Sequence, residues 1–166
     1  MTNREYLSGL DNSELISWLS DQKEKSIAQT ISKTDWGLFK NFQPSEFVCG
    51  CKKCEYSKPE NVMDMDPKLL WILQAVRNKY KKAITITCGV RCEEYNNSLP
   101  NAVSNSYHLP SFKKAADFYI SGVTSTEAGR DEVIAFMKQL PGFKYAYHNK
   151  NGSSPLMGAA VHVEVK

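Results

Sequence analysis

Histidine, cysteine and carboxylate are the side chains that ligate metals and move protons, and here they are sparse. The chain has only three histidines, His108, His148 and His162. His162 sits in Val161-His162-Val163-Glu164-Val165. In a strand the three valines share one face, and His162 and Glu164 share the other. That pattern fits a solvent-facing edge or a polar site. Asp117 lies inside an apolar run, Lys-Ala-Ala-Asp-Phe-Tyr-Ile. A carboxylate there is costly to bury unless paired or bound to a metal, although alternation with Tyr119 also allows it to face solvent. His108 lies in a polar loop, Asn-Ser-Tyr-His-Leu-Pro. Together His108, Asp117 and His162 could supply two imidazole nitrogens and one carboxylate oxygen. Catalytic zinc sites use such a set and keep a fourth position for water, whose pKa falls to about 7. The same donors could also hold Fe(II).

The five cysteines are Cys49, Cys51, Cys54, Cys88 and Cys92. The first three form Cys-x-Cys-x-x-Cys, tighter than the pairs of a zinc ribbon. With Cys92 or Cys88 as a fourth thiolate they could close a structural zinc site. Free thiols or an occasional disulfide are the alternatives.

These residues need elements to hold them. Asp11 to about Thr30 reads as a helix, with cap residues at its start and Leu15, Ile16 and Leu19 in one stripe. Residues 32–44 are irregular, with Trp36, Phe39 and Phe42 as anchors, and Cys49 to Met65 is a loop. Asp66-Pro67 opens a helix, and Leu69, Leu70, Leu73 and Val76 form its apolar face to residue 80. Ala83 to Cys88 alternates as a strand. Glu93 to Ser106 is a polar loop or short helix. Lys114 to Ile120 is a strand, and Ser125 to Leu140 a helix ended by Pro141-Gly142. Phe143 to His148 and Ala160 to Val165 are the last strands, joined through a turn at Asn151-Gly152. This order predicts an α+β fold with a small, mostly antiparallel sheet. We expect a helical extension over residues 1–45 and a main domain over 46–166.

The length of 166 residues suits one compact domain. A net charge of +3 favours no particular partner. The N-terminus has no secretory pattern, and no apolar run approaches the ~18 residues of a membrane span. We therefore expect a soluble protein without membrane contact, made in the cytoplasm.

Four ordered segments carry a resemblance: Thr87–Asn96 (TCGVRCEEYN), Asn105–Leu109 (NSYHL), Lys114–Asp117 (KAAD) and Val161–Val165 (VHVEV). Together they resemble the zinc D-Ala-D-Ala carboxypeptidases of peptidoglycan, especially compact bacteriophage-encoded forms, over about Phe47 to Val165. The resemblance implies the fold shared with the hedgehog signalling domain and one catalytic zinc on His108, Asp117 and His162. It implies hydrolysis of a stem-peptide bond by attack of zinc-bound water, as a carboxypeptidase or an endolysin-like endopeptidase. Arg91 matches the family's substrate-contacting arginine, and Ser106 matches the serine of its Ser-x-His motif, a position that supports the metal site and substrate binding. Further implications are a bacterial host, a monomer, and action on the cell wall after release.

The chain departs from the family pattern in places. Pro110 to Lys113 adds two residues between His108 and Asp117, with Lys near a position usually occupied by Gly. Cys88 stands where Ser is common, Val90 where an aromatic is common, and Glu164 in place of Asp. Ala159 and Ala160 stand where many relatives carry an acid or a His. Glu164 is then the first choice of general base and His148 the second. Two other functions stay open: a zinc-binding domain of this fold without catalysis, and a zinc-stabilised nucleic-acid binder using Lys52, Lys53 and Lys58.

Overall fold

The computed structural model describes residues 34–150 and 157–166. The helix expected at 11–30 and the turn at Asn151-Gly152 lie outside the described residues. The fold is α+β. Helix α1 (Pro67–Tyr80) precedes β1 (Ile84–Cys88); a short α2 (Glu93–Ser98) and a long loop lead to β2 (Ala115–Ile120). Helix α3 (Glu127–Met137), β3 (Phe143–His148) and β4 (Val161–Val165) complete the chain. The four strands form one sheet in the order β1-β2-β4-β3, every pair antiparallel.

Local chemistry explains the helix ends. Asp66 caps α1 by accepting from the Lys68 backbone N–H at 2.8 Å, with Pro67 in the first turn. Thr126 caps α3 through the Gly129 N–H at 3.1 Å.

One face of the sheet is core. Ala116, Phe118, Ile120, Val161, Val163 and Val165 are buried there with Leu69, Leu73 and Val76 of α1 and Val133 and Met137 of α3. The core also reaches back into the irregular segment. Phe39 and Phe42 are each 1% exposed, and Phe39 meets Trp71 edge-on at 4.7 Å. The boundary expected at residue 46 therefore falls inside packed structure, because the anchoring aromatics lie before it. The other sheet face is left free to carry polar residues.

The two additional residues before β2 are absorbed by a tight turn. Leu109 O accepts from both Phe112 N and Lys113 N at 2.9 Å, and Lys114 N then donates to Tyr107 O at 3.0 Å. Lys113 takes φ +53°, in the left-handed region that Gly adopts freely. Its ammonium offsets that cost by binding Asp64 Oδ1 at 2.5 Å and the Asn61 carbonyl at 3.3 Å.

Candidate active site

Strand register builds the site. Antiparallel pairing of β2 with β4 sets Asp117 opposite His162, on the face away from the core. Pairing of β3 with β4 adds Tyr147 opposite His162 and Tyr145 opposite Glu164. A bulge between Ile86 and Cys88 turns Cys88 to the same face, opposite Asp117. His108 comes from the loop before β2. Its Nδ1 bonds the Gly89 carbonyl at 2.6 Å, and its own carbonyl accepts from Arg91 N at 2.9 Å. Glycine is required at 89 by the close passage of the Phe47 backbone: a Cβ there would lie 2.4 Å from the Phe47 carbonyl oxygen.

These outer bonds fix both imidazoles. A backbone carbonyl only accepts, so His108 carries its proton on Nδ1 and turns a lone pair outward at Nε2. Glu164 Oε1 lies 3.3 Å from His162 Nε2, which places that ring's proton there and its lone pair at Nδ1. His108 Nε2 then lies 3.3 Å from His162 Nδ1 and 3.5 Å from Asp117 Oδ1, and His162 Nδ1 lies 2.7 Å from Asp117 Oδ1. Three acceptors facing one another repel unless a cation or a proton lies among them. Zinc with ligands at 2.0–2.1 Å in a tetrahedron spaces them about 3.3–3.4 Å apart. The first two separations match that geometry. The third is a hydrogen-bond length, as expected when a proton bridges the pair.

Titration follows the same contacts. Burial disfavours charge on Asp117, but His108 and His162 outweigh it and hold the carboxyl far below the usual range. Burial lowers the pKa of His108 against the opposing pull of Asp117. Burial also opposes charge on His162, yet its bonds to Asp117 and Glu164 prevail and raise its pKa. The bond from His162, against burial and with help from Lys144, lowers Glu164 to about 2.

Asp117, His162 and Glu164 line a cleft of about 620 Å³ that also takes in Arg91, Ser106, Tyr147 and Val103, with His108 buried behind them. Arg91 Nη2 donates to Ser106 Oγ at 2.9 Å, while its buried Nε has no partner among the described residues. His162 is 3% exposed, and the Tyr147 ring lies 4.5 Å from it. At the rim Val103 is 59% and Tyr145 50% exposed, so apolar side chains meet whatever enters.

Of the two residues expected as general base, His148 lies elsewhere and Glu164 faces the site. His148 pairs with Val161 in register, which turns it to the core face. There it bonds Asp131 of α3 at 2.9 Å and accepts from Lys150 N at 3.2 Å. That is a helix-to-strand tie on the wrong side of the sheet for a general base. Glu164 does face the site, but it is engaged by His162 Nε2 and, at 2.8 Å, by Lys144 Nζ. Outer carboxylates that orient metal-binding imidazoles occupy such positions.

Cys88 was missed as a neighbour of the site. Its Sγ lies 3.8 Å from His108 Nδ1, and burial, then the Asp117 charge, pushes the thiol up to about 12. The bulge that delivers it leaves no mark in a five-residue strand pattern.

The peptidase M15 family model matches residues 40–153, more than half of the chain. The chain belongs to the peptidase M15 family. Peptidases of this family depend on zinc. The match includes Arg91, Ser106, His108 and Asp117 and stops before β4, whose pairing with β2 brings His162 to them. Neither curated proteins nor solved structures yield a match. Among the described residues no helix is long and apolar enough to cross a membrane.

Proposed function

We propose that this M15 peptidase hydrolyses peptide bonds in peptidoglycan stem peptides, with zinc held by His108, Asp117 and His162. The convergence of two imidazole lone pairs and a carboxylate within 2.7–3.5 Å supports this reading most directly. Zinc bound there supplies a Lewis acid that polarises a carbonyl and acidifies water. The chain's own residues do the rest. Gly89 and Glu164 fix the tautomers of the two histidines. Arg91, held by Ser106, presents a permanently charged fork to a terminal carboxylate or a developing oxyanion. Tyr147 and the apolar rim shed water as the peptide enters.

The test is incubation of zinc-loaded protein with a synthetic stem pentapeptide ending in D-Ala-D-Ala and with cross-linked muropeptides. We expect cleavage of one of the two substrates, seen by mass spectrometry and lost in His162→Ala. No cleavage of either by zinc-loaded wild type would sink the proposal.

A second reading, a zinc-binding module without catalysis, draws support from the engagement of Glu164 by both His162 and Lys144. It predicts tight binding of the same peptides without turnover.

A further inference from the structure

The cysteines of the 49–57 segment stand apart from the cleft and have no part in the reaction proposed above. Cys49, Cys51 and Cys54 come from one loop, and Cys92 from the start of α2. Their four sulfurs all lie within 4.8 Å of one another, and Cys51 Sγ and Cys92 Sγ are 3.9 Å apart. All four are unpaired thiols. A disulfide would bring two sulfurs to about 2.05 Å. Zinc with four thiolates at about 2.3 Å spaces them by about 3.8 Å. The observed separation fits the metal cluster and not the disulfide.

The surroundings suit thiolates. Backbone N–H groups point at three of the sulfurs: Cys92 N to Cys49 Sγ at 3.3 Å, Lys53 N to Cys51 Sγ at 3.5 Å and Tyr95 N to Cys92 Sγ at 3.4 Å. Such donors spread the charge of a ligating sulfur and orient it. The Ser57 hydroxyl lies 3.8 Å from both Cys51 Sγ and Cys54 Sγ. Lys52, between two of the cysteines, takes φ +60°, which folds the loop back so that Cys51 and Cys54 face the same point. Cys49 and Cys92 are buried and the other two half-buried.

We infer that Cys49, Cys51, Cys54 and Cys92 form a second, closed zinc site, structural in role, which clasps the 49–57 loop to the segment that carries Arg91. Four protein ligands leave no position for substrate. The clasp is local to the cleft's wall: Arg91 adjoins Cys92 in sequence, and Val90 N donates to Phe47 O at 2.8 Å on the other side. On binding zinc each thiol that is protonated gives up its proton to solvent, and four thiolates replace the waters of the aqueous ion.

The test uses full-length protein purified without chelator, with metal counted by mass spectrometry and cobalt as a spectroscopic probe. Cys88 is first replaced (Cys88→Ser), so that no thiol remains beside His108. Two zinc ions per chain are expected in that background, one in Cys54→Ser and one in His108→Ala. Cobalt should give an intense sulfur-to-metal charge-transfer band in the Cys88→Ser protein, retained in His108→Ala and lost in Cys54→Ser. If Cys54→Ser fails to fold, the band in the other two proteins still decides. A cobalt spectrum without thiolate character, or a Cys51–Cys92 disulfide in the freshly isolated protein, would overturn the inference.

Discussion

The two donor clusters differ in how far apart their members lie in the chain. The thiols come mostly from one loop, three within six residues, with Cys92 as the only distant contributor. The His108, Asp117 and His162 group draws on a loop and two strands, and exists only once β2 and β4 have paired. The first cluster is sulfur-rich, partly buried and away from the cleft. The second is built of nitrogen and oxygen and opens on a cleft of about 620 Å³. A local cluster gains its order from a metal, as small zinc modules do. A cluster spread over a sheet gains its order from the core beneath, and can leave a corner free for substrate.

The sharpest way to break this contrast is to remove one nitrogen ligand. His162→Ala should lower peptide hydrolysis by a factor of about 10³ or more. It should leave the melting temperature of the zinc-loaded protein within a few degrees of wild type. A large loss of stability with activity retained would reverse the roles assigned to the two clusters. Graded chelation tests the same point without mutation. Activity should vanish at a chelator concentration that leaves the fold intact, and unfolding of the 34–57 region should follow only when the thiolate metal is stripped. Hydrogen exchange followed by mass spectrometry would separate the two steps.

The two clusters were also unequally legible in sequence. The cysteine spacing announced itself, and of the two candidate fourth thiols Cys92 lies with the other three, while the β1 bulge sends Cys88 toward His108. The helices at 67–80 and 127–137 and the four strands followed from periodicity and caps, since each buries one face in a shared core. The position of His148 was not legible. It lies one residue beyond Tyr147, and period-two alternation alone decides which face it takes; the register of β3 against β4 carries a shift between Phe143 and Tyr145 that no pattern displays. The packing of Phe39 and Phe42 was foreseen as anchoring but not as part of the main core, because an irregular segment has no period to read.

Arg91 sharpens the comparison at the next level of effect. Arg91→Lys should reduce kcat/KM by about 10- to 100-fold on a peptide with a free C-terminal carboxylate, since a point charge replaces a bidentate fork. A C-terminally amidated peptide should lose far less if Arg91 binds that carboxylate. Equal losses on both would assign the guanidinium to the oxyanion instead.

Glu164 offers a pH-resolved test in metal-free protein. Its carboxyl is held at about 2, below its unfolded value of about 4.3. A depressed carboxylate contributes stability above the unfolded pKa and loses it as pH falls toward the folded one. Glu164→Gln should therefore lower urea stability by on the order of 2 kcal/mol at pH 7. That gap should narrow as pH drops from about 4 to 2. A gap that is constant with pH would place the interaction with His162 outside the titration.

The smallest expected effect concerns the turn that lets His108 and Asp117 meet despite the additional residues between them. Lys113 combines a left-handed backbone with an ion pair to the exposed Asp64. Lys113→Ala discards the pair and keeps the backbone cost, so it should destabilise by about 1–2 kcal/mol. Lys113→Gly discards the pair but relieves the backbone, recovering about 1 kcal/mol of that loss. Thermal or urea unfolding of the two variants should then rank Gly above Ala. The reverse order would mean that the left-handed residue costs the native loop little, since both variants lack the ammonium and differ only in backbone freedom.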